Sequence, residues 1–486
     1  MINALVAGAG PVGLTLALEL ARYGVLTRIV DPAPTRTDKS KALVVWPRTL
    51  ELLDRAGLAE AFVAAGLKVA HANMLAGAEP LARLGFADLP TGYPFLLVLP
   101  QSETERLLEE RLATLGVTVE RGTELESFTD VGDAVTCVLR HADGTAEAVR
   151  SDWLLGCDGA RSMVRGALKL DFTGDTLPEN FVLADLRATG MTFPADELSI
   201  IWHPEGPVLF FPLPSGYTRV FTGVGTEPRH EPTLAEMQGI LATRLPGVVI
   251  SDPIWLSGFS INERMVPDYR VGRVFVAGDA AHIHSPAGGQ GMNTGMQDAF
   301  NLAWKLALVE RGLAGPALLD SYGPERSAVA KRILSDTGRM TRIGTLRNRL
   351  AQELRNFAIH TVLGFEAAQD FGAARLAEIT IHYPASPLNR GRTTGFDGPA
   401  PGERIVAGAP FGAGDTPRFA LLAPDTAEAR AFARDHATIL EAAPRPPLAD
   451  GMIRLARPDG YVAAVARPGE WKVIEECLAG IRGRVD

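Results

Sequence analysis

Two glycine-rich stretches in this chain have the composition of loops that bind phosphates or nucleotides. The first is GAGPVG at residues 8–13, between an apolar segment at 2–7 and a second apolar segment at 14–23. If these segments form a strand and a helix, the glycines allow a tight turn, close approach of a pyrophosphate and close packing of the helix on the strand. The bound anion would lie at the positive end of the helix dipole.

An acidic residue follows this unit where a ribose would be bound. Asp31 ends the next apolar stretch, 25–30, and lies 18 residues after Gly13. A carboxylate at the end of the second strand can accept hydrogen bonds from ribose hydroxyls. The strand, turn, helix and acid together predict a dinucleotide site, with a glycine-rich turn in an unrelated strand–helix unit as the alternative.

The second glycine-rich stretch lies in the middle of the chain. It begins with GDAAH at 278–282, after an apolar segment at 273–277, and continues with PAGGQGMN at 286–293. An acid at the carboxyl end of a strand can bind a sugar hydroxyl, and a glycine run lets backbone N–H groups approach a ligand where the next helix begins. A further motif, CDGARS at 157–162, predicts on its own no more than a turn.

Composition and charge exclude several classes of partner. The 486 residues are 46% hydrophobic and 22% charged, with 57 acidic and 48 basic side chains and a net charge of −9. We expect no nucleic-acid partner, because phosphate backbones are bound by clustered basic residues. No apolar run reaches the roughly 18 residues of a membrane span, and the three cysteines are scattered, which argues against a disulfide framework. We expect a cytoplasmic globular protein that binds neither a membrane nor a metal.

The order of strand-like and helix-like segments predicts a mixed α/β fold with a discontinuous first domain. Residues 1–171 and 264–385 contain the glycine-rich motifs and the long helices, and we expect them to form one Rossmann-like domain. Residues 172–263 contain short strands separated by Pro and Gly, which predicts an inserted antiparallel sheet. Residues 386–416 are rich in Gly and Pro and are expected to be a linker, and 417–486 return to alternating strands and helices.

The order of the motifs GAGPVG, CDGARS, GDAAH and GGQGMN resembles that of the class A flavoprotein monooxygenases, the aromatic hydroxylases of the p-hydroxybenzoate hydroxylase type. The resemblance covers about residues 1–330. Residues 39–43 and 48–51 resemble the members that act on phenols and polyketides, and RPDGY at 457–461 resembles the thioredoxin-like C-terminal domain of that branch. This segment has no CxxC pair, which implies a packing or dimer role and no redox role.

The resemblance implies FAD as a non-covalent cofactor and NADPH or NADH as the electron donor. It assigns the pyrophosphate to residues 8–13, the ribose to Asp31, the ribityl chain to Asp279 and the pyrimidine edge of the flavin to backbone groups at 291–293. Lys41 lies where many relatives have Arg, and Lys lacks the bidentate guanidinium. The implied FAD-binding residues are Gly8, Gly10, Pro11, Gly13, Asp31, Lys41, Gln101, Asp158, Asp279, Gly288, Gly291, Met292 and Asn293. The backbone of Pro286 and Gly289 would border the region where oxygen is activated.

The resemblance further implies that one oxygen atom from O2 is inserted into an aromatic or polyketide-like substrate, by hydroxylation through a flavin C4a-hydroperoxide. Epoxidation, Baeyer–Villiger oxidation and non-oxygenating reduction or dehydrogenation on the same fold remain open, as does a homodimer. The inserted sheet is expected to cover the substrate pocket. Candidate substrate contacts are His203, Tyr217, Arg219 and Tyr269, with an exposed sheet face as the alternative.

Overall fold

Residues 2–226, 231–346, 348–406 and 408–483 are described by a computed structural model, in which the strands form four sheets. The strands are β1 (Ile2–Ala7), β2 (Thr27–Asp31), β3 (Val44–Val45), β4 (Leu67–Val69), β5 (His71–Ala76), β6 (Glu79–Gly85), β7 (Leu96–Val98), β8 (Val119–Arg121), β9 (Thr123–Asp130), β10 (Val135–His141), β11 (Ala146–Gly156), β12 (Thr173–Thr189), β13 (Leu198–Trp202), β14 (Val208–Pro212), β15 (Thr218–Gly225), β16 (Val249–Met265), β17 (Arg270–Val271), β18 (Val274–Val276), β19 (His282–Ile283), β20 (Arg390–Gly391), β21 (Ala420–Leu422), β22 (Ile453–Ala456) and β23 (Val462–Ala466). The helices are α1 (Pro11–Arg22), α2 (Pro47–Asp54), α3 (Ala59–Ala65), α4 (Gln101–Thr114), α5 (Met163–Ala167), α6 (Leu234–Arg244), α7 (Gly291–Glu310), α8 (Tyr322–Gly344), α9 (Arg349–Val362), α10 (Glu366–Leu376), α11 (Ala427–Asp435) and α12 (Trp471–Arg482). Within these described ranges, no helix is long and apolar enough to cross a membrane.

The first sheet has a parallel core that confirms the predicted Rossmann-like arrangement. Its order is β17-β18-β11-β1-β2-β8, and β1 pairs in parallel with both β2 and β11. The strand β1 and the helix α1 are almost wholly apolar because both are buried. Ala7 pairs with Gly156, and Gly156 pairs with Val276, so β1, β11 and β18 end side by side. The loops that follow these three strands therefore meet at one edge of the sheet.

The second sheet is larger than the predicted insertion at 172–263. Its order is β19-β16-β12-β15-β14-β13-β5-β6, and its neighbours are antiparallel except for the parallel pair β13 and β5. The strands β5 and β6 come from residues 71–85, outside the predicted range. They cover the edge of β13, which would otherwise present unpaired backbone groups. One face of the sheet packs on α6 through a buried apolar cluster that includes Val182, Val220 and Leu241.

The segment predicted as a linker, 386–416, is packed against the first domain in its described part. The guanidinium of Arg22 donates to the carbonyl oxygen of Gly412 over 3.0 Å, and the Tyr23 hydroxyl donates to the same oxygen over 2.7 Å. Its β20 pairs with β23, within a sheet of order β20-β23-β22-β21. The backbone of this Gly- and Pro-rich segment obtains its hydrogen bonds from both neighbouring units, so it is ordered without long strands or helices. The thioredoxin-like assignment of the C-terminal unit stays a prediction.

A buried cluster of charges joins the C-terminal unit to α7 and α8; we call Lys305, Glu325, Arg457 and Asp459 the Arg457 cluster. The guanidinium of Arg457 donates to both carboxylate oxygens of Glu325, over 2.6 and 2.9 Å, and to both of Asp459, over 2.9 and 2.6 Å. Lys305 Nζ donates to Glu325 over 2.7 Å. Burial alone would raise the pKa of Glu325, but Arg457 and Lys305 hold it far below its usual range. The cluster is therefore charged within the protein interior.

Candidate cofactor and substrate site

The loop at 8–13 is shaped by contacts that leave no room for side chains at two of its glycines. Gly8 has φ +102°, and a Cβ on it would lie 2.4 Å from the carbonyl oxygen of Cys157. A Cβ on Gly13 would lie 1.9 Å from the carbonyl oxygen of Gly8, so α1 presses directly on the turn. A Cβ on Gly10 would meet nothing within 4 Å. Pro11 begins α1 at a position where its missing N–H removes no helical hydrogen bond. The loop is thus closed by Gly8 and Gly13 and open to a ligand at Gly10.

The carboxylate of Asp31 lies beside this loop. Its Oδ2 accepts a hydrogen bond from the Ala9 N–H over 2.7 Å, and its Oδ1 accepts one from the Ala33 N–H over 2.9 Å. The Arg121 guanidinium lies 3.7 Å from Oδ1. Each carboxylate oxygen has two lone pairs, so the two backbone donors hold the group in one orientation and leave acceptor capacity for ribose hydroxyls.

Asp158, directly after β11, has an oxygen without a partner. Its Oδ2 accepts a hydrogen bond from the Val164 N–H over 3.0 Å, whereas its Oδ1 is buried and has no partner among the described residues. A buried oxygen left unpaired is costly, so a ligand donor at this place would be stabilising. Ser162 accepts from the Arg165 N–H over 2.9 Å and caps α5. The CDGARS motif therefore builds a helix start as well as a turn.

Asp279 lies in a short 3-10 turn that packs closely on α1. Gly278 has φ +58°, and a Cβ on it would lie 2.7 Å from Cγ2 of Val12. The Asp279 side chain is exposed, yet surrounding protein raises its pKa by burial, while the positive charges of His282 and Lys41 act in the opposite direction. A carboxylate that is exposed to solvent but also surrounded by protein atoms lies in a cleft. It can there accept a hydrogen bond from a cofactor hydroxyl.

The start of α7 faces the same cleft. Gly288 and Gly289, with φ +83° and +62°, turn the chain from Pro286 into the helix, and the Gly289 N–H donates to the Pro286 carbonyl oxygen over 2.9 Å. The helix has 20 residues and no acidic residue in its first turn, so the positive end of its dipole is not neutralised there. The backbone N–H groups that have no acceptor within the helix are those of Gly291, Met292 and Asn293.

The side chain of Asn293 ties this helix to β3. Its Oδ1 accepts from the Trp46 N–H over 2.9 Å, and its Nδ2 donates to the carbonyl oxygens of Val44 and Gly289 over 2.8 and 3.0 Å. The amide is fully occupied by the backbone. Only the N–H of Asn293 is left for a ligand, as the predicted role required.

The segment Lys41–Ala42 is held across the cleft from Asp279 by two side chains. Gln101 Oε1 accepts from the Ala42 N–H over 3.2 Å. Arg219 donates to the carbonyl oxygen of Lys41 over 3.0 Å. The Lys41 side chain is exposed, and its charge acts on Asp279. Gln101 thus positions the loop that carries Lys41.

The five loops around this cleft fit the cofactor that the resemblance implies. A dinucleotide needs a backbone that its pyrophosphate can approach, and Gly10 provides that opening. Its sugar hydroxyls need acceptors, and these are offered by Asp31, by the unpaired Oδ1 of Asp158 and by Asp279. The flavin ring needs donors at its pyrimidine edge, which the start of α7 presents. The sequence places these residues up to 285 positions apart, from 8 to 293, and the fold brings them to one cleft.

The face of the second sheet opposite α6 is rich in aromatic rings; we call it the aromatic face. Phe181 stacks on Phe221 with ring centroids 5.1 Å apart, and Phe259 lies 6.1 Å from Phe181. Arg219 is two residues before Phe221 on the same strand and therefore on the same face. Because Arg219 reaches the backbone of Lys41, the aromatic face looks toward the cofactor loops. The strand pairing adds two half-buried side chains of β14, Leu209 and Phe211.

Two of the predicted substrate contacts lie at turns of this sheet. His203 follows β13, where its Nδ1 accepts from the Glu205 N–H over 3.2 Å, and burial followed by the charge of Arg244 lowers its pKa. Arg244 belongs to α6, on the other face of the sheet. Tyr217 precedes β15 and is half-buried. Its ring centroid lies 4.7 Å from the guanidinium carbon of Arg187. Of the two, Tyr217 is the one that packs beside the aromatic face.

The other two predicted substrate contacts, Arg219 and Tyr269, are buried side chains. Arg219 makes two hydrogen bonds to Asp185, over 2.6 and 2.7 Å, so its charge is compensated within the sheet. The Tyr269 ring stacks on His282 and packs edge-on against Tyr322. Neither side chain is exposed, and the Tyr269 hydroxyl has no hydrogen-bond partner among the described residues. Their roles as substrate contacts stay predictions.

The sequence analysis did not identify the buried group that supports His282. Asp298 Oδ2 accepts from the Gly278 N–H over 3.0 Å and lies 2.8 Å from His282 Nε2, and its Oδ1 accepts from Arg326 over 2.6 Å. Although burial acts to raise the pKa of Asp298, Arg326 and His282 hold it low. The signal that could have indicated it is a carboxylate next to the run Ala299–Phe300 in a helix that the sequence analysis expects to be long and packed. In the described ranges, no group of three or more His, Cys, Asp or Glu could hold a metal ion.

Glu378 is a second buried acid behind the start of α7. It has φ +59°, which is strained for a residue with a side chain. Its carboxylate accepts from Thr294 Oγ1 over 3.3 Å and from Gln297 Nε2. Burial raises its pKa to about 8, so the group is mostly protonated at pH 7.

Cys157, which precedes Asp158 in the sequence and packs against Gly8, is also buried. Burial raises the pKa of its thiol, so it is not a reactive thiolate.

Comparison with known proteins shows the family of the chain. Residues 1–337 match the family described as FAD binding domain. The 6-methylpretetramide 4-monooxygenase of Streptomyces rimosus is 43% identical over 418 residues, which are 83% of this chain and 73% of that relative. The solved structure of OxyS anhydrotetracycline hydroxylase from Streptomyces rimosus is 30% identical, with a TM-score of 0.81 over 99% of both chains. That of BexE, studied for oxidation during BE-7585A biosynthesis, is 33% identical, with a TM-score of 0.81 over 100% of both chains.

Proposed function

The chain belongs to the FAD binding domain family, among the class A flavoprotein hydroxylases, and we propose that its substrate is a neutral, planar, fused-ring phenol of the aromatic polyketide type. The protein is an FAD-dependent monooxygenase that inserts one oxygen atom into an aromatic compound. Two similar proteins bear names of this substrate class, 6-methylpretetramide and anhydrotetracycline. The observation that carries the proposal for this chain is the aromatic face that looks toward the cofactor loops.

The chemistry that bound FAD would supply is reduction by NADPH or NADH and activation of O2, from which the oxygen atom comes. In our proposal the protein binds and orients this cofactor through the cleft. The loop at 8–13 holds the pyrophosphate, Asp31 and Asp158 hold sugar hydroxyls, and Asp279 holds the ribityl chain. The N–H groups at 291–293 contact the pyrimidine ring and, at the positive end of the α7 dipole, stabilise negative charge on it.

The aromatic face would hold the substrate by stacking and by burial of apolar surface. Offset or tilted aromatic pairs contribute about 0.5–1.5 kcal/mol beyond the burial of their area. Phe221 and Phe259 are half-buried, with their ring centroids 5.6 Å apart, so part of each ring is left for a ligand. An apolar wall also keeps water from the region that Pro286 and Gly289 border, where the oxygen atom is transferred.

The charges of this face support a neutral substrate. Arg219 is neutralised by two hydrogen bonds to Asp185, and Arg187 lies 3.6 Å from the carboxylate of Asp252. Arg219 is therefore not available as an unpaired cation for a substrate carboxylate, and the charge of the exposed Arg187 is offset in part by Asp252. A benzoate-type substrate would lose its hydration without gaining an ion pair, which is unfavourable. A phenol has no such cost, because it is neutral below its pKa near 10.

The experiment is aerobic oxidation of NADPH and of NADH by the FAD-loaded protein, with fused-ring phenols, simple phenols and the matched carboxylic acids. Product masses are recorded under ¹⁸O2. We expect fused-ring phenols to stimulate NAD(P)H oxidation and to gain one labelled oxygen atom, and the carboxylic acids to do neither. Phe221→Ala should raise KM for the phenol, while Val249→Ala, an exposed position at the far end of β16, should not.

Two results would contradict the proposal in different ways. Equal conversion of the carboxylic acids would refute the neutral-substrate argument while leaving the monooxygenase intact. Conversion under strict anaerobiosis, without a gain of oxygen, would indicate the non-oxygenating alternative.

We further propose that the protein acts in the cytoplasm, where NADPH and NADH are available, since its three cysteines are free and buried.

A further inference from the structure

The two ring nitrogens of His284 have different roles, and one of them fixes the other. Nδ1 lies 2.9 Å from the carbonyl oxygen of Ser285. A carbonyl oxygen only accepts, so Nδ1 carries the proton and donates it. Burial, followed by the charge of His282, lowers the pKa of His284 to about 4, so the ring is neutral at pH 7. In this tautomer Nε2 can act only as an acceptor.

The acceptor Nε2 is buried and has no hydrogen-bond partner among the described residues. The ring lies at the start of α7, since a Cβ on Gly291 would be 3.6 Å from Nε2. The nearby His282, on β19, has its ring centroid 6.4 Å from that of His284. Its own Nε2 lies within hydrogen-bond distance of Asp298. An unpaired acceptor therefore stands between the turn that carries Asp279 and the first N–H groups of α7.

We propose that Nε2 of His284 accepts a hydrogen bond from the bound FAD, which makes His284 a cofactor-binding residue. The inference rests on the assignment of the cleft to FAD. The start of α7 offers the flavin only donors, because free groups at a helix N-terminus are N–H groups. FAD itself carries donors at this end, the ribityl hydroxyls and the ring imide N–H. These need acceptors, and Nε2 is the unpaired acceptor that the described part of the chain places against Gly291.

The test measures FAD binding and not turnover. Full-length holoenzyme is diluted, and the fluorescence of released FAD gives its dissociation constant for wild type, His284→Phe and His284→Gln. Phenylalanine keeps a flat ring but has no acceptor, whereas the amide oxygen of glutamine can take the place of Nε2. His141→Phe is the matched control, because His141 lies on β10, bonded to Glu147 and outside the cleft.

We expect the dissociation constant to rise about tenfold in His284→Phe. We expect it to stay within about threefold of wild type in His284→Gln and His141→Phe. Unfolding of the flavin-free full-length chain separates this role from a structural one. His284→Phe removes the acceptor that is unpaired without FAD, but it also removes the Nδ1–H donor to Ser285. The flavin-free variant should therefore lose at most about tenfold in its folding equilibrium constant, the contribution of one hydrogen bond.

Three results would overturn the inference. If His284→Phe keeps wild-type FAD affinity but weakens binding of the aromatic substrate, the acceptor serves the substrate. If the flavin-free variant loses much more than about tenfold in its folding equilibrium constant and glutamine does not restore FAD binding, the residue is structural. If wild type itself does not retain FAD, the cofactor assignment of the cleft fails, which is a separate conclusion from a failure at His284.

Discussion

Replacement of Arg457 by methionine tests whether the C-terminal unit is joined to the rest of the protein by buried charges. The change removes four charged hydrogen bonds, two to Glu325 and two to Asp459, and keeps most of the apolar side-chain volume. The side chains of these three residues are at most 3% exposed, so water cannot replace the lost partner. Removing one member of a buried ion pair costs about 3–5 kcal/mol. Here Asp459 loses its cation and stays buried, whereas Glu325 keeps the hydrogen bond from Lys305.

The assay is urea unfolding of the FAD-loaded protein, followed by tryptophan fluorescence. Trp304 reports on the cluster directly, because its ring lies 5.2 Å from the Arg457 guanidinium. We expect Arg457→Met to lower the free energy of unfolding of the transition that Trp304 reports by about 3–5 kcal/mol. The control is Arg467→Met, the same chemical change at an exposed residue just after β23, with an expected effect below about 0.5 kcal/mol. A loss below about 1 kcal/mol in Arg457→Met, the range of solvated ion pairs, would refute the reasoning.

Three further predictions concern the cofactor cleft and the acid behind it. Gly13→Ala should weaken FAD binding at least about tenfold. The new Cβ would lie 1.9 Å from the Gly8 carbonyl oxygen, so α1 must move. Flavin retention on gel filtration measures the effect. Asp279→Ala should also release FAD, since a ribityl hydroxyl loses its acceptor, and unchanged flavin retention would contradict that role. Glu378→Gln should remove a pH dependence of stability. The folded pKa of about 8 exceeds the unfolded value of 4.5, so the native state holds the extra proton and this group lowers wild-type stability by about 1.4 kcal/mol per pH unit from pH 5 to 7. Unfolding curves of both proteins at pH 5, 6 and 7 would show parallel stabilities if Glu378 titrated normally.

The cofactor loops could be predicted from the sequence because their geometry is local. Gly8 and Gly13 are required by contacts within one strand–turn–helix unit, so their spacing alone carries the information. The same holds for Gly288 and Gly289, whose positive φ angles turn the chain into α7. In each case a short motif specifies its own backbone conformation.

The second sheet could not be predicted to its full extent, because its pairing joins distant parts of the chain. β5 pairs with β13, more than a hundred residues away in the sequence, and no feature of residues 71–76 indicates which strand they pair with. The sequence names Arg219 only as a candidate substrate contact, with an exposed sheet face as the alternative. Its true partner, Asp185, lies on the neighbouring strand β12, and the pairing register that brings the two together is visible only in the fold.

The helix α7 has a consequence for how this protein can be re-engineered. Its first residue, Gly291, borders the cofactor cleft, and its later residue Trp304 reaches the C-terminal unit, where Trp304 Nε1 donates to Asp459 over 3.1 Å. The apolar core of the first sheet continues into the C-terminal unit, whereas the second sheet closes much of its own core on α6. The cofactor domain and the C-terminal unit thus share one core and have to be kept together in any chimaera. The second sheet apart from β19, whose His282 contacts Asp298 of α7, is the part that can be exchanged, and chimaeras that alter substrate range should be cut at its borders and never through α7.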